Sequence, residues 1–364
     1  MKKTLKIVAI VLAALLLVAV AVAGVAFLWL DKTLDRMNYV PSDTTVSQEE
    51  ATRIDQEEWF STDPTEGNGE QGDEPTLPIP TGPIIDAEDV YFPDGWELPD
   101  MEDQGKDIVN IMLVGQDARP GEPAQRSDSM ILMTFNKKTS QITLTSFLRD
   151  QYVQIPGFGN TKLCHSYSYG GMTLLNETIK NHYGVEVDGN VTFNFEGFKD
   201  IIDMLGGVNI TLTQEEATAL NNLESKQKWG LEAGLQRLTG AQALRYARLR
   251  HIDSDFQRTE RQRKVIMSIV EAYKNCTLSE MMKILEETMP LITTNIPKNQ
   301  IYTYAFQLFP MLSGAQMKTQ QMPASGTFTS GLIKVAENYL ASCQYNIDFA
   351  ANREMLNKIF DDIP

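Results

Sequence analysis

The chain has 364 residues, 42% of them hydrophobic, and a formal net charge of -16 at pH 7. Residues 41–100 carry 17 Asp or Glu against Arg53 alone, a balance equal to the charge of the whole chain, so the remainder is neutral overall. That argues against a nucleic-acid-binding domain, which wants a basic face on a basic domain; three cysteines without C-x-x-C spacing and three scattered histidines give no disulfide framework, zinc site or Ser-His-Asp hydrolase.

In chain order, Met1–Lys6 form a short tail with Lys2, Lys3 and Lys6, followed by 24 uncharged residues, Ile7–Leu30. At about 1.5 Å per residue such a run spans a hydrocarbon core of roughly 30 Å, and the lysines before it keep the N-terminus cytoplasmic. The prediction is a single-pass cell-membrane anchor with everything after it extracytoplasmic. The rival is a signal peptide cleaved near Ala21-Val22-Ala23, disfavoured because the apolar run continues through "VAFLWL". Residues 31–100 read as an acidic, Pro- and Gly-rich linker. Eight of the 16 prolines fall in 41–100 and apolar residues are sparse, which predicts a mostly disordered spacer reaching roughly 45 Å.

Residues 101–364 are long enough for a substantial core. "DIVNIMLVGQD" is a buried strand ended at Gly115; "SMILMTFN" and "QITLTSFL" form a hairpin about Lys137–Ser140. "MTLLNETIKNHYG" is a helix capped by Gly184, "NVTFNF" a strand, "EGFKDIIDMLGG" a helix and "VNITL" a strand. "TGAQALRYARL" and "FQRTERQRKVIMSIVEAY" are two helices, the first starting after Thr239 and the second near Ser254 or Asp255. Then "LSEMMKILEETM", "NQIYTYAFQLF", "GLIKVAENYL" and "ANREMLNKIF" read as helices, with "AQMKTQQMP" an edge strand. Alternating strands and helices with one hairpin make an α/β fold with a mixed central sheet. Four Asn-x-Ser/Thr sequons, at Asn176, Asn190, Asn209 and Asn275, sit in these elements and are read as chance.

The run from Ala243 to Arg263 holds six arginines. Arg258, Arg261 and Gln262 share one helical face that continues into Val265 and Ile269, so this face meets something negative at the edge of the core. Four further clusters lie near strand ends: Gly115–Arg119, Arg126-Ser127-Asp128, Phe147–Asp150, and Lys162 before "CHSYSYGG". Singly each is a surface ion pair; jointly they offer two carboxylates, Asp117 and Asp128, for a hard cation, and many cations for one multiply charged anion.

Seven motifs in order, "LVGQDAR", "RSDSMIL", "SFLRD", "KLCHSYSYGG", "NFEGFKDIIDMLGGV", "LTGAQALRYARLRH" and "DFQRTERQRKVI", closely resemble the LytR-CpsA-Psr family of cell-envelope proteins over residues 107–270. The resemblance implies an α-β-α layered domain with a hydrophobic groove for a polyprenyl chain and an arginine-lined mouth for its pyrophosphate. It implies transfer of a polyprenyl-pyrophosphate-linked glycopolymer, teichoic acid, capsule or another, to peptidoglycan, releasing polyprenyl monophosphate. By position, Asp117 and Asp128 would hold Mg²⁺ or Mn²⁺. Arg119, Arg126, Arg149, Lys162, Arg248, Arg250, Arg258 and Gln262 would bind the pyrophosphate, with Asp117, Asp128 and Arg149 catalytic. Arg245, Arg261 and Arg263 are not ranked among the direct contacts. Leu148 and Cys164 depart from the family pattern beside the site.

The residue types suit that chemistry independently. Planar guanidinium groups favour the charge that builds on a leaving phosphate, and a magnesium-like ion bridges phosphate oxygens with only one or two carboxylates. The general base is open: Asp128, water or the phosphate itself. A hydrolase using the same site, a non-catalytic polyprenyl-phosphate-binding assembly protein and a nucleic-acid-binding regulator are the alternatives.

Overall fold

The computed structural model describes residues 26–60, 84–92, 105–117, 126–222, 229–249, 252, 255–312, 314–336 and 339–360. Helix α1 (26–34) leads into strand β1 (Asn38–Tyr39) and helix α2 (Gln48–Phe60), and β2 (Ile84–Asp86) follows. Then come β3 (Ile108–Asp117), β4 (Arg126–Asn136), β5 (Gln141–Phe147), β6 (Tyr152–Ile155), β7 (Gly159–Lys162) and α3 (Leu163–Tyr183). The middle of the chain is β8 (Gly189–Asn194), α4 (Phe195–Met204), β9 (Val208–Leu212), α5 (Gln214–Asn221), β10 (Gly234–Leu238), α6 (Gly240–Arg248) and α7 (Asp255–Lys274). The last third is α8 (Leu278–Thr288), β11 (Ile292–Thr294), α9 (Lys298–Leu312), β12 (Gln316–Met322), β13 (Thr329–Ala336), β14 (Tyr339–Tyr345) and α10 (Phe349–Phe360).

The central sheet has seven strands in the order β1-β11-β8-β3-β4-β5-β12. It is mixed: β3, β4 and β5 are antiparallel neighbours, whereas β8 joins β3 and β12 joins β5 in parallel. Alternation along each strand sends side chains to opposite faces. Met112, Val114, Met130, Leu132 and Phe147 pack under α2, α3 and α10. Val109, Ile111, Phe135 and Ile142 pack under α9. A further core, with Ile202, Val208, Leu238, Tyr246 and Val265, ties α4, α6 and α7 to the small β9–β10 sheet. These layers make the expected α-β-α arrangement.

Local chemistry explains the element ends. Thr239 and Gln242 form a capping box before α6, and Gly184 closes α3 at φ 69°, where a side chain would be strained. Helix α3 starts at Leu163, earlier than the predicted helix, and Gly170 and Gly171 break its helical geometry.

Two expectations are corrected. "GLIKVAENYL" is not a helix: β13 pairs with β14 and, in parallel, with β2, some 250 residues away in sequence. Its apolar residues at 332, 335, 336 and 339 also fit helical spacing, and pairing with the adjacent β14 and the distant β2 makes it strand. The linker 31–100 is not wholly a spacer, because β1, α2 and β2 belong to the fold. Ala51 and Ile54 of α2 are buried against α3, and Glu49 and Glu50 in its first turn complement the helix dipole. Average acidity hid this amphipathic segment. Asp55 of α2 also pairs with fully buried His165, Oδ1 to Nδ1 at 2.8 Å.

The predicted span Ile7–Leu30 lies outside the described residues except for its last five, 26–30, which are helical. No helix among the described residues is long and apolar enough to cross a membrane.

Candidate active site

The site begins with a register fault. Asp117 pairs with Arg126, Gln116 with Ser127, and Gly115 with Ser129, so Asp128 is the extra residue of a β-bulge on β4. A bulge bends its strand and re-aims the side chain. Here it turns Asp128 toward Arg149, just past the end of β5. Arg149 Nη1 donates to Asp128 Oδ1 at 2.7 Å, and its Nε lies 3.4 Å from Asp150 Oδ2. Lys162, the last residue of β7, places Nζ 3.1 Å from the other oxygen of Asp150. The backbone of Arg149 is itself held, its carbonyl accepting from the Cys164 amide at 3.2 Å.

Helix α7 delivers the next cation. Arg258 is 2% exposed, with Nη2 2.6 Å from Asp255 Oδ1 one turn earlier. Burial lowers its pKa, Asp255 opposes that, and the positive charge of Arg149 lowers it further; Asp128 and Asp150 act on it as well. For Arg149 burial works against the charge, but Asp150 and Asp128 outweigh it and raise its pKa well above the usual guanidinium range. Arg149, Lys162 and Arg258 thus face Asp128, Asp150 and Asp255 in one cluster. Nε of Arg258 is buried with no hydrogen-bond partner among the described residues. Such a donor is costly to leave unmet, and an oxyanion would satisfy it.

Of the predicted residues, Asp128, Arg149, Lys162 and Arg258 come together. Asp117 and Arg126 are placed by backbone pairing at the same end of β3 and β4. Gln262, half-buried, follows Arg258 by four residues on α7. Arg248, exposed in the last turn of α6, sits over the Phe195 ring with Cζ 4.4 Å from its centroid. Arg119 and Arg250 lie outside the described residues. Arg261 and Arg263 have internal roles: Arg261 Nη2 donates to the Leu249 carbonyl at 2.6 Å, and Arg263 Nη1 to Ser146 Oγ at 2.7 Å. Burial pushes the Arg263 guanidinium down to about 10.

Two participants had been given no role in the site: Asp150, named only within the Phe147–Asp150 cluster, and Asp255, named only as a helix start. Asp150 adjoins Arg149 in sequence, and Asp255 stands at i, i+3 from Arg258, so adjacency was the available clue. The carboxylate set fits a hard divalent ion: oxygen donors only, with Asp117 and the bulged Asp128 on paired strand ends. No group of three or more metal-ligating side chains occurs among the described residues, and a magnesium-type ion sharing phosphate oxygens does not require one.

A cavity of about 1000 Å³ lies elsewhere, along the C-terminal half of α7, β9 and β12. Ile210, Met267 and Met317 line it together with Arg237, Lys264 and Glu271. Glu271 is 13 residues beyond Arg258 on one helix, roughly 20 Å along its axis. The arginine cluster, not this cavity, is where the charge chemistry lies.

The LytR_cpsA_psr family model matches residues 89–348. The polyisoprenyl-teichoic acid–peptidoglycan teichoic acid transferase TagT of Bacillus subtilis is 34% identical over 215 residues, covering 58% of this chain and 66% of that protein. The transferase TagU of Bacillus licheniformis is 31% identical over 259 residues, 69% of this chain and 79% of that one. The matches to curated relatives span roughly two thirds of their lengths, from 62 to 79%. Among solved structures, TagT bound to LIIa-WTA superposes with TM-score 0.56 at 28% identity, covering 71% of this chain and 92% of that one. The LytR-CPS2A-psr family protein YwtF (TagT) with bound octaprenyl pyrophosphate lipid gives 0.54 at 25%, covering 72% and 93%.

Proposed function

The chain belongs to the LytR-CpsA-Psr family, and from that premise we propose that it is a membrane-anchored phosphotransferase joining a polyprenyl-pyrophosphate-linked glycopolymer to peptidoglycan. The observation that carries this reading is the convergence of Arg149, Lys162 and buried Arg258 on one carboxylate-framed site with an unmet guanidinium donor. The names of the relatives and the lipid-bound neighbours support a teichoic-acid-type donor. The domain lies outside a cell membrane that Ile7–Leu30 crosses once, with Met1–Lys6 in the cytoplasm.

In the proposed reaction a peptidoglycan hydroxyl attacks the phosphorus that carries the glycan. A new P–O bond forms as the bond to the bridging oxygen breaks. The glycan becomes phosphodiester-linked to the acceptor, and polyprenyl monophosphate leaves with the bridging oxygen. Arg149, Lys162 and Arg258 bind the oxygens on which charge builds, with Arg119, Arg126, Arg248, Arg250 and Gln262 completing the cradle. Each such contact is worth about 2–4 kcal/mol, by analogy with removal of one oxyanion donor. Asp117 and Asp128 would hold Mg²⁺ or Mn²⁺, which supplies charge neutralisation across the two phosphates. Asp128 is also the candidate to accept the hydroxyl proton, with water or a phosphate oxygen as alternatives. Asp150 and Asp255 are positioning residues that hold Arg149, Lys162 and Arg258 in place before substrate arrives.

The test follows release of polyprenyl monophosphate from a synthetic lipid-pyrophosphate-glycan, with and without peptidoglycan oligomers, beside Asp128→Ala. It uses the full chain, because α2 contributes to the core. Release that rises with acceptor, yields a joined product and is lost in the variant supports the ligase. Acceptor-independent release would make the protein a hydrolase, and binding without release would leave a lipid-binding module.

A further inference from the structure

Helix α1 is fastened to α9 with no slack after the apolar run. The Phe27 and Tyr302 rings are 5.2 Å apart. Tyr302 Oη donates to Asp31 Oδ1 at 2.6 Å, and Lys298 Nζ reaches Asp31 at 3.4 Å and contacts Asp35. Thr33 and Leu34 are each 2% exposed, and Val40 N then donates to the Thr294 carbonyl at 2.9 Å beside the β1–β11 pair. Asp31, the first charged residue after Ile7–Leu30, is therefore already bound to the domain.

The contacts also set a direction. Asp35 meets Lys298, Asp31 meets Lys298 and Tyr302, and Phe27 meets Tyr302, so α1 and α9 run antiparallel. If α1 leaves the bilayer, α9 returns toward it. One turn beyond Tyr302, Phe306 is 85% exposed, and Phe27 and Leu28 are 54% and 62% exposed. Exposed Phe and Leu side chains beside a membrane span bury into the headgroup–acyl boundary, as on the apolar face of an interfacial helix.

We propose that α1 and α9 form a rigid membrane seat, with Phe27, Leu28 and Phe306 occupied by the outer-leaflet interface of the bilayer that anchors the chain. This rests on the reading of Ile7–Leu30 as a retained membrane helix. The segment 41–100 does not hold the domain at a distance, because the attachment precedes it.

The experiment uses the full chain carrying Cys276→Ser and Phe306→Cys, labelled with an environment-sensitive fluorophore; the two remaining cysteines, Cys164 and Cys343, are buried. Vesicles of phosphatidylglycerol and phosphatidylethanolamine contain lipid spin-labelled near the headgroup. Leu235→Cys, on β10 at a position 70% exposed, is the aqueous reference. The expected result is a blue-shifted Phe306 label that loses most of its emission to the spin-labelled lipid, while the Leu235 label is quenched only by iodide. Adding Lys298→Glu should reduce the lipid quenching at Phe306. A protein that co-floats with vesicles while both labels stay aqueous overturns the seat and leaves the anchor standing. A protein that fails to co-float overturns the anchor, and the seat with it.

Discussion

Arg258→Met separates affinity for pyrophosphate from stability. Arg258 is 2% exposed, and burial together with the nearby Arg149 lowers its pKa, with Asp255 opposing. The ligand-free protein thus holds a cation it solvates poorly. Removing one partner of a fully buried ion pair costs about 3–5 kcal/mol, because the other charge is left buried and unpaired. Asp255, the charge left behind, has a side chain 23% exposed although its Oδ2 is buried, so the loss should lie below that range, at about 1–3 kcal/mol. Binding loses one charge-assisted donor, about 2–4 kcal/mol or roughly 30- to 1000-fold. Arg261→Met is the contrast on the same helix. Arg261 is also 2% exposed, but it serves the Leu249 carbonyl and lies 3.6 Å from Glu216, whose side chain is 8% exposed. Removing it should cost about 3–5 kcal/mol, as for a broken buried pair. The assay is thermal unfolding of the full chain in detergent, with and without farnesyl pyrophosphate. The reasoning is refuted if Arg258→Met unfolds the protein as readily as Arg261→Met, or if it keeps wild-type stabilisation by the ligand.

Two further predictions concern the folded state. Ile54→Ala should lower stability by about 2–4 kcal/mol in chemical denaturation, because Ile54 is 4% exposed within the α2–α3 core; a change near zero would return 48–60 to the status of a spacer. His182, 1% exposed and accepted by the Gln154 carbonyl at 2.9 Å, has its pKa pushed down by burial to about 4. Its folded pKa lies below the unfolded value of about 6.5, so the unfolded chain takes up the proton first. The stability this residue contributes is present above about pH 6.5 and is lost as pH falls toward 4, by up to about 3 kcal/mol. His182→Gln, measured across that window, should flatten this part of the pH profile.

Elements whose partners lie close along the chain could be read without the fold. The β4–β5 hairpin, the capping box at Thr239 and the Gly184 cap of α3 each follow from residues a few positions apart. Most of the site's cations were legible too: strand-end clusters contain Arg149 and Lys162, helical spacing puts Arg258 and Arg261 on one face, and the family resemblance ranks Arg258 above Arg261. Tertiary structure decided what depends on residues far apart. Pairing of β13 with both β14 and distant β2 turns "GLIKVAENYL" into strand, and only the β3–β4 register makes Asp128 a bulged residue aimed at Arg149. The three arginines of α7 look alike in sequence, yet one faces the carboxylate-framed site while two satisfy the protein's own oxygens. The acidic segment reads as solvated because composition averages over it, whereas Ala51 and Ile54 are buried through one face of one helix. Propensity and capping act over a turn or two of chain, while burial and charge pairing are settled only where distant segments meet.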